Sequence, residues 1–456
     1  MQIHEKDNVE VDLANGHKYA VRPILAGEQI IKYGYPIGVA AADIQKGEHV
    51  HSHNMRTGLG ESEEYAYEPK LSSLQSPASV PTFMGYRRRD GSVAVRNEIW
   101  IIPTVGCINH VAEQLANKTG AFAYTHPFGC SQLGSDKATT EKILCGLIRH
   151  PNAAGVLVVG LGCENSNIGE IKKRLGEYDA ERVRFLNCQD ESDEVATGIA
   201  LIEELKSYAA QFKREPLPIS ELKIGMKCGG SDGFSGITAN PLVGRFSDYL
   251  VACGGTSVLT EVPEMFGAER ILMNRCQDEE TFEKNVALIQ NFKDYFVRHG
   301  QVVYENPSPG NKAGGITTLE EKSLGCVQKG GQATVTDVLD IGEPLTKNGL
   351  NLLNGPGNDI VAVTNLTASG VHMILFTTGR GTPLGAPVPT VKLSTNTALY
   401  EKKRNWIDFN AGSMLDGADL LEDLVTYCIR VASGEETCNE KNGFREISIF
   451  KDGVVL

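Results

Sequence analysis

The sequence predicts an α/β protein in which a small N-terminal β unit precedes parallel α/β domains. Short apolar segments broken by glycine turns fill the first part of the chain, as in "VRPILAGEQIIKYGYPIGVA". Farther along, strand patterns such as "EIWIIPTVGC" alternate with helical patterns such as "TTEKILCGLIRH". Strands that alternate with helices predict a mainly parallel sheet with helices on both faces.

Changes in composition divide the chain into four segments. Residues 1–68 form the β unit, and the Ser- and Pro-rich stretch "PKLSSLQSPASVPT" predicts a linker over residues 69–82. An α/β domain follows over residues 83–215. A larger α/β domain, which we expect to be catalytic, covers residues 216–456, where "KREPLPISELKIG" restarts the strand pattern. Several strands of this last domain lead into glycine-rich loops, and in open parallel sheets ligands bind beyond the carboxyl ends of strands.

Composition and charge exclude several classes of protein. The chain has 456 residues, of which 41% are apolar and 22% charged, as in a globular protein with a substantial core. The net charge of −13 argues against a nucleic-acid partner. No apolar run approaches about 18 residues and the N-terminus is polar, so neither a membrane span nor a signal peptide is expected. Eleven scattered cysteines argue against a disulfide framework and indicate a reducing cytoplasm, with thiols free for metal binding or catalysis.

Three histidines occupy alternate positions in "GEHVHSHN". On a strand this spacing places His49, His51 and His53 on one face, where imidazoles serve as metal ligands or proton carriers. The alternative is a surface strand that happens to carry histidines. His17, in "NGHKYA", is by itself more typical of a turn residue.

Three further stretches carry cysteine next to glycine and polar residues, where strands are predicted to end. In "YTHPFGCSQLGSD", proline and glycine favour a loop in which His126 and Cys130 share a ligand. A single cysteine at a strand end is usually a small buried residue, whereas three such cysteines favour a metal site. Thiolates beside histidine and carboxylate suit Fe or Zn better than Mg or Ca. No C-x-x-C spacing occurs among these stretches, so any such site is assembled across the fold. The other candidates are Cys163 and Glu164 in "GLGCEN", and Cys228, Ser231 and Asp232 in "KCGGSD".

Two glycine-rich loops each carry one cation. Lys312 lies in "NPSPGNKAGG" and Arg380 in "TTGRGTPLG". Exposed backbone N–H groups in such turns bind anions, and arginine binds a carboxylate through two parallel hydrogen bonds. Neither loop fits the P-loop pattern, and "GLGCENSNIG" lacks the third glycine of a dinucleotide fingerprint. These loops therefore predict a site for a small anion, with ordinary loop chemistry as the alternative.

Long segments of the chain resemble the altronate dehydratase family from end to end. They include "IKYGYPIGVAAADI" with "HVHSHN", "FGCSQLG", "GLGCEN", "CGGSDGFSGITANPLVGRFSDY", "YENPSPGNKAGGITTLEEKSLGCVQK" and "FTTGRGTPLGAPVPTVK". The wider family also contains galactarate dehydratases and two-subunit sulfolactate sulfo-lyases, and "HVHSHN" is similar to the altronate type. The resemblance implies a β-clip domain of the SAF type, Rossmann-like α/β domains, and Fe²⁺ or Mn²⁺ as cofactor.

The activity implied by the resemblance is dehydration of D-altronate to 2-dehydro-3-deoxy-D-gluconate. The proton at C2 is removed beside a carboxylate, so cationic groups and a metal must stabilise the second negative charge that develops. A general acid then protonates the departing C3 hydroxyl. Dehydration of galactarate or a similar sugar acid, or a sulfolactate-type lyase, is the alternative within lyases. A nucleotide-dependent oxidoreductase and a non-catalytic sugar-acid binding protein are the alternatives in other classes.

Roles for individual residues follow from this chemistry and the shared motifs. His17 and His126 are candidate base and acid because imidazole transfers protons near pH 7, and Glu164 is a candidate ligand-orienting or proton-shuttling group. The candidate metal ligands are Cys130, Cys163, Cys228, His51 and His53. The candidate substrate-binding residues are Lys312, Arg380, Ser231, Asp232 and Asn311. The expected partner is a small sugar acid, and a homodimer is the expected assembly.

Overall fold

The N-terminal unit consists of two small antiparallel sheets. The computed structural model describes residues 1–60 and 64–454, so residues 61–63 and 455–456 of the predicted domains lie outside the described residues. The strands are β1 (Val9–Val11), β2 (Lys18–Ala20), β3 (Gln29–Lys32), β4 (Tyr35–Ala40), β5 (His49–Val50) and β6 (Met55–Arg56). One sheet has the order β1-β2-β5 and the other β3-β4-β6. This arrangement confirms the predicted β unit.

The predicted histidine strand is shorter than expected. Strand β5 ends at Val50, and residues 51–54 form a turn. Asn54 makes this turn, because its Oδ1 accepts from the backbone N–H of His51 at 2.9 Å and its Nδ2 donates to the carbonyl of His49 at 2.9 Å. The prediction that His49, His51 and His53 alternate along one strand is therefore wrong.

A four-stranded parallel sheet forms the middle of the chain. Its order is β10-β9-β11-β12, and all three pairings are parallel. The elements of this region are β7 (Thr82–Arg87), β8 (Val93–Ala94), β9 (Glu98–Pro103), β10 (Phe122–Ala123), β11 (Ala153–Gly160), β12 (Val183–Asn187), α1 (Asn109–Thr119), α2 (Gly134–Arg149), α3 (Ile168–Leu175) and α4 (Glu194–Ala209). A separate small sheet joins β7 to β8 and to β13 (Glu215–Pro218).

A seven-stranded parallel sheet forms the C-terminal part, in the order β16-β17-β15-β14-β18-β19-β20. Its strands are β14 (Lys223–Cys228), β15 (Thr256–Leu259), β16 (Val335–Leu339), β17 (Gly349–Leu353), β18 (Met373–Thr378), β19 (Thr390–Ser394) and β20 (Phe409–Asn410). The helices are α5 (Ala239–Ala252), α6 (Glu269–Met273), α7 (Glu279–Arg298), α8 (Pro309–Ala313), α9 (Leu319–Cys326), α10 (Asp359–Ser369), α11 (Thr397–Lys402), α12 (Leu421–Ala432) and α13 (Cys438–Lys441). The parallel sheets with their helices confirm the predicted α/β class.

The two parallel sheets share a hydrophobic core. Ile143 and Leu144 of α2 belong to the same buried cluster as Val363 and Leu366 of α10. Because both sheets are parallel, the loops that follow their strands gather at one edge of each sheet. In the part of the chain that is described, no helix is both long and apolar enough to cross a bilayer.

A buried ion-pair triad attaches the N-terminal unit to the C-terminal part. Glu321 of α9 accepts from Lys18 Nζ at 2.8 Å and from Lys32 Nζ at 2.9 Å. Lys18 Nζ also donates to Thr317 Oγ1 at 2.6 Å and to the carbonyl of Gly315 at 3.0 Å. The triad fixes the histidine-bearing sheet against the segment that leads into α9.

Candidate active site

A cavity of about 400 Å³ lies at the carboxyl edge of the seven-stranded sheet. Its walls come from the ends of β14, β15, β17 and β18 together with α8, as expected for a ligand site in a parallel sheet. Its polar lining residues include Cys228, Glu264, Asn306, Asn311, Lys322, Asp359 and Arg380. Three of these, Cys228, Asn311 and Arg380, are residues that the sequence predicted.

Two thiols and a carboxylate converge at the inner end of this cavity. Cys228 Sγ lies 3.4 Å from Cys326 Sγ, and Glu264 Oε2 lies 3.1 Å from each sulfur. All three side chains are buried, and their ligand atoms lie within 4.8 Å of one another. This group, which we call the thiol–carboxylate group, is compact enough to hold a metal ion.

Three buried lysines surround the thiol–carboxylate group. Lys329 Nζ lies 3.0 Å from Cys228 Sγ, and Lys322 Nζ lies 2.8 Å from Glu264 Oε1. The third is Lys227, which contacts Glu261 Oε1 at 2.6 Å and Asp359 Oδ1 at 2.5 Å. Glu261 has a left-handed backbone (φ 71°), unusual for a residue with a side chain. This conformation places its second oxygen 2.9 Å from the backbone N–H of Cys228.

The three acids of the thiol–carboxylate group differ in pKa, and therefore in their charge at neutral pH. A hydrogen bond from Cys326 lowers the pKa of Cys228 to about 6, with Lys329 acting in the same direction. The pKa of Cys326 is raised well above its usual value by that same bond and by burial. Burial opposes ionisation of Glu264, but Lys322, Lys329 and Lys227 outweigh it and lower its pKa to about 2. At neutral pH the metal-free group therefore contains a thiolate, a thiol and a carboxylate.

Helix α8 forms one wall of the cavity and joins several predicted residues. Asn311 Nδ2 donates to the carbonyl of Ser231 at 2.9 Å, and Lys322 Nζ donates to Asn311 Oδ1 at 3.3 Å. The exposed guanidinium of Arg380 donates to the carbonyl of Gly310 at 3.4 Å. Arg380 thus lies over the start of α8 with other N–H groups available for an anion.

The histidines form a cluster next to α8. His17 Nδ1 and His49 Nε2 are 3.0 Å apart, and the ring of His51 lies 5.4 Å from that of His49 and 5.7 Å from that of His17. The ring of His53 lies 5.6 Å from that of His49 and is tilted by 33° to it. His51 Nε2 lies 3.0 Å from the carbonyl oxygen of Lys312. Burial and the neighbouring imidazoles lower the pKa of His49 to about 4, so this ring is neutral at pH 7 and suited to proton transfer or ligation.

His126 belongs neither to the thiol–carboxylate group nor to the histidine cluster. It is 2% exposed, its Nε2 bonds to the carbonyl of Pro103 at 2.8 Å, and its Nδ1 accepts from the backbone N–H of Phe128 at 3.2 Å. Burial lowers its pKa to about 4. Cys130 is exposed. The expectation that His126 and Cys130 face one ligand is therefore wrong, because the histidine is taken up by backbone hydrogen bonds inside the fold.

Glu164 and Asp232 both bind neighbouring loops rather than the cavity. Glu164 accepts from Thr104 Oγ1 at 2.5 Å and from the backbone N–H of Gly162 at 2.7 Å. Asp232 accepts from Thr395 Oγ1 at 2.9 Å and is 8% exposed. Ser231 Oγ is buried and has no hydrogen-bond partner among the described residues. These contacts hold the loops at the strand ends in shape.

Several residues of the site were missed in the sequence. Lys322 and Cys326 are four residues apart in "EEKSLGC", which on a helix places them on one face. Glu261 and Glu264 follow a strand in "LTEVPEM", a position typical of functional residues. Lys329 carries no local signal, since only the fold brings it to Cys228.

Comparisons with known proteins match the three parts of the chain to one family. Family models described as the altronate/galactarate dehydratase SAF domain, the D-galactarate dehydratase/altronate hydrolase second domain and the D-galactarate/altronate dehydratase C-terminal domain match residues 1–58, 85–210 and 219–455. Altronate dehydratase of Escherichia coli K12 is 53% identical, with 98% of this chain and 93% of the relative covered. Altronate dehydratase of Bacillus subtilis 168 is 54% identical with the same coverage. Galactarate dehydratase (L-threo-forming) of Escherichia coli K12 is 33% identical, with 93% of this chain and 87% of the relative covered.

Proposed function

This chain belongs to the altronate/galactarate dehydratase family, and on that premise we propose that it is an altronate dehydratase. As a hydro-lyase it converts D-altronate to 2-dehydro-3-deoxy-D-gluconate and water. The choice of altronate as substrate rests on sequence identity. Over nearly the whole chain, the identity to two altronate dehydratases is much higher than the identity to a galactarate dehydratase. The histidine cluster, formed from the motif that resembles the altronate type, supports the same choice.

The substrate carboxylate binds between Arg380 and α8 in this proposal. Arg380 is exposed at the mouth of the cavity, and Asn311 and Lys322 lie deeper along the same wall. A guanidinium matches the two oxygens of a carboxylate, and the buried ammonium stabilises the second negative charge that forms after proton loss at C2. Lys312, whose carbonyl oxygen lies 3.0 Å from His51 Nε2, adds a cation to the chain between the cavity and the histidines, and Ser231 contributes a hydroxyl without a partner among the described residues.

Proton transfer is assigned to the histidine cluster. The 3.0 Å contact between His17 Nδ1 and His49 Nε2 couples the tautomers of the two rings, since one nitrogen must donate and the other accept. We assign removal of the C2 proton to His17 and protonation of the leaving C3 hydroxyl to His51. The enol that results takes a proton at C3 and becomes the 2-keto acid. The direct roles predicted for His126 and Glu164 stay predictions, and their hydrogen bonds favour positioning of the fold instead.

The cofactor proposed is Fe²⁺ or Mn²⁺, and the thiol–carboxylate group fits such a cation. Five acidic groups face three lysines here, so a divalent cation balances the charge when every acid is ionised. Two thiolates favour Fe²⁺ over Mn²⁺. Cys228, Cys326 and Glu264 would hold the ion, and Cys228 and Glu264 line the cavity. When bound, the cation supplies Lewis-acid stabilisation of negative charge on the substrate.

Purified protein offered several sugar acids tests the function. We expect a 2-keto acid, detected with a carbonyl reagent, from D-altronate, and much slower turnover of galactarate, D-mannonate and sulfolactate. Removal of metal with a chelator is expected to abolish turnover, and Fe²⁺ or Mn²⁺ to restore it better than Mg²⁺ or Zn²⁺. Faster turnover of galactarate than of altronate, or full activity without metal, contradicts the proposal. The homodimer, the cytoplasmic location and the four domain boundaries stay predictions.

A further inference from the structure

The exposed cysteines of this chain all lie at one edge of one sheet. Of the eleven cysteines, six are buried, two are half-buried and three are exposed. The exposed ones are Cys107, Cys130 and Cys163, which follow β9, β10 and β11 of the four-stranded sheet. Cysteine is among the residues most often buried. Three exposed thiols confined to neighbouring strand ends therefore call for a chemical explanation.

Direct backbone contacts bring these three loops together. The N–H of Gly106, next to Cys107, donates to the carbonyl of Phe128 at 2.9 Å. The N–H of Ser166 donates to the carbonyl of Gly129, next to Cys130, at 3.0 Å. Strand β9 lies between β10 and β11, so the loop of Cys107 lies between the other two.

The loop backbones are shaped for this close approach. Gly129 has a φ of 100°, and a Cβ there would overlap the carbonyl oxygen of Thr104. Ser131 has a left-handed φ of 57° although it is not a glycine. Its N–H donates to Asn165 Oδ1 at 2.8 Å, which joins the loops of Cys130 and Cys163. Strained backbone of this kind clusters at functional sites.

The surroundings favour an anionic centre. Helices α1, α2 and α3 each begin a few residues after one of the three cysteines, so three positive helix ends lie at this edge. Ser166 is fully buried beside the loops, and its Oγ has no hydrogen-bond partner among the described residues. A hydroxyl without a partner here is available to donate to bound sulfur.

The three exposed thiols do not converge closely on one ion. Thiolates around a single tetrahedral ion at about 2.3 Å lie roughly 3.8 Å apart. Among the described residues, three ligand atoms come within 4.8 Å of one another at the thiol–carboxylate group, and the three exposed thiols do not form such a group. Several iron atoms linked by sulfide span a wider gap, with one thiolate on each iron.

We propose that Cys107, Cys130 and Cys163 hold an iron–sulfur cluster with one iron that no cysteine ligates. The fourth cysteine at this edge, Cys188, follows β12 but is half-buried, and burial raises the pKa of its thiol to about 11. It is therefore a poor ligand. The open iron leaves a coordination position for an oxygen of a bound molecule.

The C-terminal segment connects the cavity to the helix that follows the loop of Cys130. Phe450 lines the cavity, and two residues later the N–H groups of Asp452 and Gly453 donate to Asp136 at 2.9 and 2.7 Å. Asp136 is in the first turn of α2, directly after the loop of Cys130. The C-terminal segment thus contacts both regions.

Cluster assembly tests the inference independently of activity on altronate. The whole chain is incubated without oxygen with ferrous and ferric iron, inorganic sulfide and a thiol reductant, then freed of excess reagent. We expect about four acid-labile sulfides per chain and a broad visible absorption band. Sulfide reports this site alone, because the thiol–carboxylate group would take iron without sulfide.

Single serine variants locate the cluster. We expect Cys107→Ser, Cys130→Ser and Cys163→Ser each to lose at least half of the bound sulfide and the visible band. Cys188→Ser, at the same sheet edge, and Cys228→Ser, in the other group, keep both. Absence of sulfide in the wild type, or sulfide in the three variants at the wild-type level, overturns the inference. Binding of a single iron without sulfide at these thiols also overturns it. If the protein binds sulfide as expected but does not dehydrate altronate, only the proposed function fails.

Discussion

The sulfurs of Cys228 and Cys326 lie 3.4 Å apart although 98 residues separate them in the chain. The first ends strand β14 and the second ends helix α9, so each is held by a different element. Their contact, with Glu264 beside both, makes the inner end of the cavity.

Serine at either thiol is expected to weaken metal binding. Cys228→Ser and Cys326→Ser replace a soft sulfur ligand by a hydroxyl, so affinity for Fe²⁺ should fall about 10- to 100-fold or more, and turnover with it. Elemental analysis after dialysis against limiting iron measures the effect. Cys253→Ser, another buried cysteine, is the control and should retain both metal and activity. Unchanged iron content in Cys228→Ser rules out this metal site.

Replacement of Arg380 is expected to impair substrate binding. Because a charge-assisted hydrogen bond contributes about 1.5–3 kcal/mol, Arg380→Ala should lower kcat/KM roughly 10- to 150-fold. Arg380→Lys keeps the charge but not the paired N–H groups, so it should recover only part of the loss. Steady-state kinetics on altronate provide the measurement, with the exposed Arg404→Ala as the control. Equal kinetics in both variants and wild type would show that the carboxylate binds elsewhere.

Two histidine variants should separate catalysis from stability. His17→Gln removes the proposed base and should reduce kcat about 10²- to 10⁴-fold without a change in thermal stability. His126→Gln disturbs the buried bonds to Pro103 and Phe128, so unfolding should become easier by about 1–3 kcal/mol while the folded enzyme keeps its kcat. Denaturant unfolding and single-concentration turnover distinguish the two. The opposite pattern would return the acid–base role to His126.

Acid should destabilise the fold through buried neutral histidines. Burial lowers the pKa of His126 to about 4 and that of His150 to about 3, from 6.5 in the unfolded chain. Between these values the unfolded chain binds more protons, so stability falls as pH decreases from 6.5 towards 4, by about 1.4 kcal/mol per pH unit for each histidine.

Urea unfolding at pH 7, 6 and 5 measures this dependence. His150→Gln should remove the contribution of one histidine from the slope, whereas the exposed His110→Gln should leave the slope unchanged. Parallel pH profiles for His150→Gln and wild type would contradict the assignment.

The buried triad should hold the N-terminal unit in place. Glu321→Gln leaves Lys18 and Lys32 without their carboxylate, a change that costs about 3–5 kcal/mol in buried ion pairs. We expect lower stability and faster proteolysis of the N-terminal unit. Glu28→Gln breaks the exposed pair with Arg22 and should cost less than about 1 kcal/mol. Similar effects of the two variants would show that the triad contributes little.

Much of the fold was predictable because its signals are local. Alternation of strand and helix patterns correctly indicated the parallel sheets, and glycine-rich stretches after β14 and β18 correctly marked the loops at the cavity. The histidine motif was predicted to lie on one face of a strand, and the turn made by Asn54 was not foreseen. A side chain four residues beyond a strand end can redirect the backbone without any change in hydrophobic pattern.

The sequence by itself determined the family segments, the α/β class and three of the residues that line the cavity, because period and motif are properties of neighbouring positions. Only the tertiary structure decided that Glu264, Cys326 and Lys329 join Cys228, and that His126 turns inward. Strand order in a parallel sheet sets which loops meet, and residues far apart in the chain then share one buried site. Their opposite charges pair only in the folded protein, and no local sequence pattern indicates this pairing.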